Sequence, residues 1–219
     1  ENFDEKLEFI KKQNLDIAFF PEIGMSAEFY FLSYVKLAKT QITSWGHPIT
    51  TSNNSIDYFL SSKLLETSEA QKRFSEKLIL FEHLPMYFYK PKIFKILTKE
   101  EMIKKNIYFC SQTLIKIHPN FDEIIDKILI RDKKAKIFFI HDKNKIISNK
   151  LLKRFKKSIP LNYEKINFIN QLNVEEYINF CGRASVLLDT LYFGAGNSFH
   201  ESMFYGTPTV TMPMKNTKS

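Results

Sequence analysis

Short apolar runs alternate along this chain with stretches of helical period, the pattern of α/β architecture. Ile17–Phe20, Gln41–Trp45, Ile56–Leu60 and Leu78–Phe81 predict short strands. The spacing predicts a helix over Ser26–Ala38 that is apolar on most faces and deeply packed, and another opening at Ser68-x-x-Gln71. A break follows, where Pro85, Pro91 and the aromatic cluster Tyr87-Phe88-Tyr89 keep no clean period before the charged run Lys99–Lys105. The second half is more regular. Ile107–Cys110, Ile137–Ile140, Ile166–Ile169, Val186–Leu188 and Thr209–Thr211 predict strands. Helices are predicted from Asn120, with Phe121, Ile124, Ile125, Ile128 and Leu129 on one stripe, and along Leu151, Leu152 and Phe155. Two more are predicted along Val174, Tyr177, Ile178 and Cys181, and from about Ser198 to Phe204. Strand–helix units of this spacing need right-handed crossovers and parallel sheets. The expected fold is two Rossmann-like lobes, residues 1–95 and 96–219.

Composition narrows this picture. With 219 residues, 44% apolar and 26% charged, the chain has enough apolar material for packed cores and is not intrinsically disordered. No window holds 18 uncharged apolar residues, so no membrane span is expected. Two cysteines, Cys110 and Cys181, make no disulfide scaffold, and a reducing, cytoplasmic setting is expected. The net charge of +8 is uneven: residues 1–90 carry 10 Lys+Arg against 12 Asp+Glu, and residues 91–219 carry 22 against 12. The stretch Lys127–Lys157 alone holds 12 basic residues. One reading is a basic module that binds nucleic acid or another anionic partner. The other is a set of solvated outer faces, favoured because only four of the 32 basic residues are Arg, the better phosphate fork.

Two strand ends carry candidate chemistry, because open α/β sheets bind ligands beyond the carboxyl ends of their strands. After Cys110 come Gln112 and Lys116, the latter placed to meet a phosphate or simply a surface lysine. The second is Asp189-Thr-Leu-Tyr-Phe-Gly-Ala-Gly-Asn-Ser-Phe-His-Glu201. There Gly194 and Gly196, two of only six glycines, precede a helix start at Asn197 or Ser198. Free N–H groups and the positive helix end suit a pyrophosphate, and Glu201 suits ribose hydroxyls. Ser198-x-x-Glu201 reads equally as a capping box that needs no ligand, a pattern repeated at Ser68, Asn120 and Asn173. In the first half, Trp45-Gly46-His47-Pro48 and Phe20–Ser26 end two strands, and His47 is either a turn histidine or an acid/base group. No Gly-x-x-x-x-Gly-Lys loop, zinc-ligand spacing or Gly-x-Ser-x-Gly elbow is present.

Several stretches together resemble the bacterial O-linked GlcNAc transferase/SPINDLY-like family, glycosyltransferase family 41. They are Asp16–Ser26, Lys36–Thr51, Ile56–Tyr58, Gln112–Pro119, and Leu188–Thr190 through Gly206–Pro213, in the family's order. The resemblance implies a GT-B fold with an incomplete N-terminal lobe, a truncated C-terminal lobe, and thus part of a catalytic region. It implies inverting, metal-independent transfer of a sugar, GlcNAc above all, from a UDP-sugar to a protein side chain, with no cofactor besides the donor; the composition adds no membrane partner and leaves nucleic acid the less favoured partner. Carried over by position, Lys116 neutralises the donor pyrophosphate and Gln112 lies beside it. Asn197 and Ser198 form the phosphate-binding helix start, where eukaryotic members have threonines and bacterial N-glycosyltransferases come closer. Glu201 takes the ribose position, while Val174 and Tyr177 stand where animal members contact the nucleotide with Lys and His.

Overall fold

The computed structural model describes residues 2–102 and 106–212. The chain forms two compact units, one ending at Tyr87 and the other beginning at Phe88.

The first unit carries a four-stranded parallel sheet in the order β1-β2-β3-β4, formed by Leu15–Phe20, Ala38–Ser44, Tyr58–Ser62 and Lys77–Phe81. Helix α1 (Phe3–Lys11), which the periodicity had not announced, precedes it, and α2 (Ala27–Ser33) links β1 to β2. Phe20, Ile23, Leu32, Leu37 and Ile56 form its core. The expected long helix over Ser26–Ala38 ends at Ser33, because buried Gln41 intercepts the chain: its Oε1 accepts the Leu37 N–H at 2.6 Å while its Nε2 donates to Ser55 O. Nor is α2 deeply packed, since only Leu32 and Ser33 are buried and Phe31 is 60% exposed. Ser68-x-x-Gln71 is not a helix cap. A short 3-10 turn spans Ala70–Arg73 without a side-chain cap, and the Gln71 amide instead braces the strand entry through Glu76 O and Leu78 N.

The second unit follows the prediction closely. Strands β5 (Ile107–Cys110), β6 (Lys136–Ile140), β7 (Ile166–Ile169), β8 (Val186–Leu188) and β9 (Thr209–Val210) form a parallel sheet in the order β7-β6-β5-β8-β9. Helices α3 (Asn120–Arg131), α4 (Ile146–Ser158), α5 (Val174–Arg183) and α6 (Asn197–Ser202) connect them. The apolar strands are buried on both sides: Phe109, Ile137 and Phe139 are fully covered, as are Ile125 and Leu129 of α3. Gly182 of α5 has a packing reason that the sequence did not reveal, because a Cβ there would meet Tyr205 at 2.5 Å and Leu97 at 2.8 Å. Every lysine in Lys127–Lys157 is exposed, as expected of outer faces. Lys104 and Lys105 of the charged run lie outside the described residues.

Candidate functional site

The sheet of the second unit starts at its centre with β5, runs outward to β7, then returns to β8 on the other side. Strand order therefore reverses between β5 and β8, where the diverging connections leave a crevice at the carboxyl edge. The segments leaving these two strands are those holding Gln112–Lys116 and Asp189–Ser198.

After β5 the chain makes one 3-10 turn over Leu114–Lys116. Leu114 and Ile117 are sunk into the core, which fixes the turn and sends Lys116 to a half-buried position between the strand ends. Its Nζ donates to Gln112 Oε1 at 2.8 Å and to Gly194 O at 3.1 Å, and lies 4.5 Å from the centre of the Phe193 ring. Burial pushes the Lys116 ammonium below its ordinary pKa, and the charge of Asp189 pulls it back up. Burial also carries the neighbouring Cys110 thiol up to about 12, so it stays neutral. Arg154 of α4 holds the far side of the turn. It donates to Ile117 O at 3.1 Å while forking onto buried Asp122 at 3.0 and 2.7 Å.

The loop after β8 is tied from within. Asp189 Oδ1 accepts the N–H groups of Thr190 and Ala195 at 2.9 and 3.0 Å, Oδ2 accepts the Thr211 hydroxyl at 3.0 Å, and Thr190 Oγ1 donates to Phe193 O. Tyr192 takes a left-handed backbone, φ 67°, and is held there by Asn120 Nδ2 on its hydroxyl at 2.8 Å. Asn120 is thus a loop brace and not the cap of α3. Only Asn173 keeps the predicted capping box, with Glu176.

Helix α6 begins at Asn197 with Gly196 as its cap residue and no side-chain cap. The Ser198-x-x-Glu201 pattern is therefore not a capping box; Ser198 lies inside the helix, its carbonyl accepting the Tyr177 hydroxyl at 3.2 Å. A Cβ on Gly196 would meet nothing within 4 Å, so packing does not demand glycine there. Asn197, His200 and Glu201 line a pocket of about 380 Å³ closed by Val174 and residues 88–92. The Phe88 ring stacks on His200 with centroids 3.5 Å apart, and burial lowers the His200 pKa. The Phe88–Lys92 wall is a contribution sequence reasoning missed. Its anchor is Glu175, whose carboxylate accepts the N–H groups of Phe94 and Lys95.

Gln112, Lys116 and Gly194 are thus hydrogen-bonded together, and Asn197 and Glu201 share one pocket. His47 belongs to the first unit, in the loop after β2. Its ring packs against Gly24 of the loop after β1, and a Cβ on Gly46 would collide with Pro21 O, so these two loops are interlocked at the carboxyl edge of β1 and β2. The neighbouring hydroxyls Thr50 and Thr51 are committed to buried Glu76. Pro213, closing the family-like stretch, lies outside the described residues. Among the described residues no helix is long and apolar enough to cross a membrane, and no three His, Cys, Asp or Glu side chains gather as a metal site.

Known proteins resemble this chain in sequence and in fold. No family model matches the chain. It is 31% identical over 168 residues to a UDP-glucose:protein N-beta-glucosyltransferase of Actinobacillus pleuropneumoniae serotype 7, a match covering 72% of this chain and 26% of the relative. The matched region is about a quarter of that protein's length. A Thermobaculum terrenum O-GlcNAc transferase mutant superposes with a TM-score of 0.87 at 17% identity, over 100% of this chain and 42% of its own. Staphylococcal TarM, in a complex that includes UDP, reaches 0.57 at 13% identity, over 95% and 44%.

Proposed function

We propose that this chain, which has a GT-B fold, holds part of a catalytic region of the glycosyltransferase family 41 kind and that the protein transfers a sugar from a UDP-sugar to a protein side chain. The observation that carries the reading is the joining of Gln112, Lys116 and Gly194 at the point where the strand order reverses. A half-buried ammonium there attracts a diphosphate more strongly than an exposed lysine would, because water screens it less. In the resting site its donor hydrogens are satisfied by a side-chain amide and a backbone carbonyl. Both are neutral acceptors, which a phosphate oxygen outcompetes.

On this reading Lys116 and Gln112 hold the diphosphate together with Gly194, Gly196, Asn197 and Ser198 at the uncapped start of α6, while Glu201 takes the ribose hydroxyls. Lys116 stabilises the negative charge that builds on departing UDP, so the leaving group needs no metal ion. A nucleophile attacking the anomeric carbon from the opposite face inverts its configuration. The family resemblance implies GlcNAc as the sugar; the A. pleuropneumoniae relative is named for UDP-glucose. Incubating the natural full-length protein with UDP-GlcNAc or UDP-glucose and a mixed peptide pool tests the reading. The expected result is a hexose or N-acetylhexosamine mass increment on peptide, unaffected by EDTA. No increment with either donor contradicts it.

A further inference from the structure

The charged groups around Lys116 are few. From β5 it meets the neutral Cys110 thiol; below it, Arg154 is occupied by Asp122; at the start of α3, His118 packs against Tyr192. Among the described residues, the carboxylate acting on it is that of Asp189, just beyond β8. Asp189 is not a ligand group by position. Both its oxygens are engaged, one on the N–H groups of Thr190 and Ala195, the other on the Thr211 hydroxyl. The Ala195 N–H belongs to the peptide whose carbonyl, Gly194 O, accepts Lys116 Nζ. One peptide unit is therefore gripped at both ends, by the carboxylate through its N–H and by the ammonium through its oxygen. The peptide dipole is aligned between the two charges, and each contact strengthens the other.

Resting on the donor-site reading above, we propose that Asp189 is the positioning residue of this site: through the Gly194–Ala195 peptide it fixes the carbonyl that aims Lys116, with its negative charge placed to face that lysine. This role goes beyond capping the loop. A neutral acceptor of the same shape would close the loop equally well, since an Asn oxygen accepts the same two N–H groups. What it would lose is the charge. Burial lowers the Lys116 pKa, and Asp189 opposes that shift ahead of the Cys110 sulfur.

Asp189→Asn separates the two roles, with Asp126→Asn on α3 as a control that removes one charge elsewhere. The titration midpoint of Lys116 is read by pH-dependent acylation and mass spectrometry, a measurement independent of any ligand, and the melting temperature is read alongside. The expected result is a midpoint at lower pH in Asp189→Asn and unchanged in Asp126→Asn, with Asp189→Asn still folded. UDP affinity above that midpoint then falls on the order of tenfold, as for the outer partners of other charged sites. An unmoved Lys116 midpoint in folded Asp189→Asn overturns the proposal, whatever UDP does. If Asp189→Asn fails to fold, Thr211→Val supplies the second reading: it removes one bond to Asp189 but no charge, so the midpoint is expected to stay put, and a downward shift there with none in Asp126→Asn overturns the electrostatic role. Loss of UDP binding in the wild-type protein, with the midpoint shift intact, would instead count against the donor-site reading alone.

Discussion

The side-chain nitrogen of Lys116 donates to the backbone oxygen of Gly194, 78 residues further along the chain, at 3.1 Å. This contact joins the connections leaving β5 and β8, the two strands between which the sheet order reverses. Replacing Lys116 by alanine therefore removes both the cation and the tie between the loops. Because the residue is half-buried and its apolar neighbours Leu114 and Ile117 hold the turn, the fold survives. Turnover of the full-length protein is expected to fall ~10²–10³-fold, as for the loss of one preorganised contact to developing charge. A donor-saturated rate measurement checks it.

The glycines make a contrasting pair. Gly182→Ala places a methyl group against Tyr205 and Leu97 at 2.5 and 2.8 Å, and such overpacking is expected to cost about 1–3 kcal/mol in chemical denaturation. Gly196→Ala meets nothing within 4 Å. It is expected to unfold like the wild type and, on the proposed donor-site reading, to bind UDP more weakly. Equal UDP affinity in Gly196→Ala would remove that glycine from the site.

Much of this was legible from residue order. The apolar runs Ile107–Cys110 and Ile137–Ile140 are strands because a parallel strand covered on both faces needs an unbroken apolar run. Asn173 and Glu176 announce a capping box and make one, their partners lying within one turn. Ser198 and Glu201 have the same spacing yet make none, because the backbone turns helical one residue early, at Asn197. Gln41, which takes the nearby Leu37 N–H, is itself held by Ser55 O 14 residues on, and the brace on the Lys116 turn depends on Arg154, 37 residues from the carbonyl it holds. No local pattern encodes such long-range hydrogen bonds. The pocket wall at Phe88–Lys92 was hidden likewise, since it is set by Glu175, about 80 residues away.

Arg154→Ala strands the Asp122 carboxylate, which is 6% exposed in its side chain, without its forked partner. The expected cost is about 1–3 kcal/mol, below that of a fully buried pair because the Arg154 side chain is 29% exposed. The double variant Arg154→Ala/Asp122→Asn recovers part of it, as the uncompensated charge is then gone. Denaturant unfolding of the three variants checks both statements.

Asp142 sits before α4, and its carboxylate accepts the N–H groups of Ile146, Ile147 and Ser148. Desolvation works against the charge, but the Ser148 hydroxyl and these backbone bonds outweigh it and hold the pKa down to about 2, from an ordinary 3.8. A depressed carboxylate pKa stabilises the fold above its unfolded value and is lost as pH falls toward the folded one. Stability is thus expected to decline between about pH 4 and about pH 2, and Asp142→Asn to flatten that part of the profile in acid denaturation followed by circular dichroism.

On the proposed reading, the Lys116 cluster at the β5–β8 reversal holds the diphosphate of a UDP-sugar. Calorimetric titration of UDP into the wild-type protein and into Lys116→Ala tests it most directly. Saturable one-to-one binding to the wild type, weakened at least ~10-fold in a folded Lys116→Ala variant, is the predicted result. Binding of UDP with equal affinity to both proteins, or to neither, would contradict it.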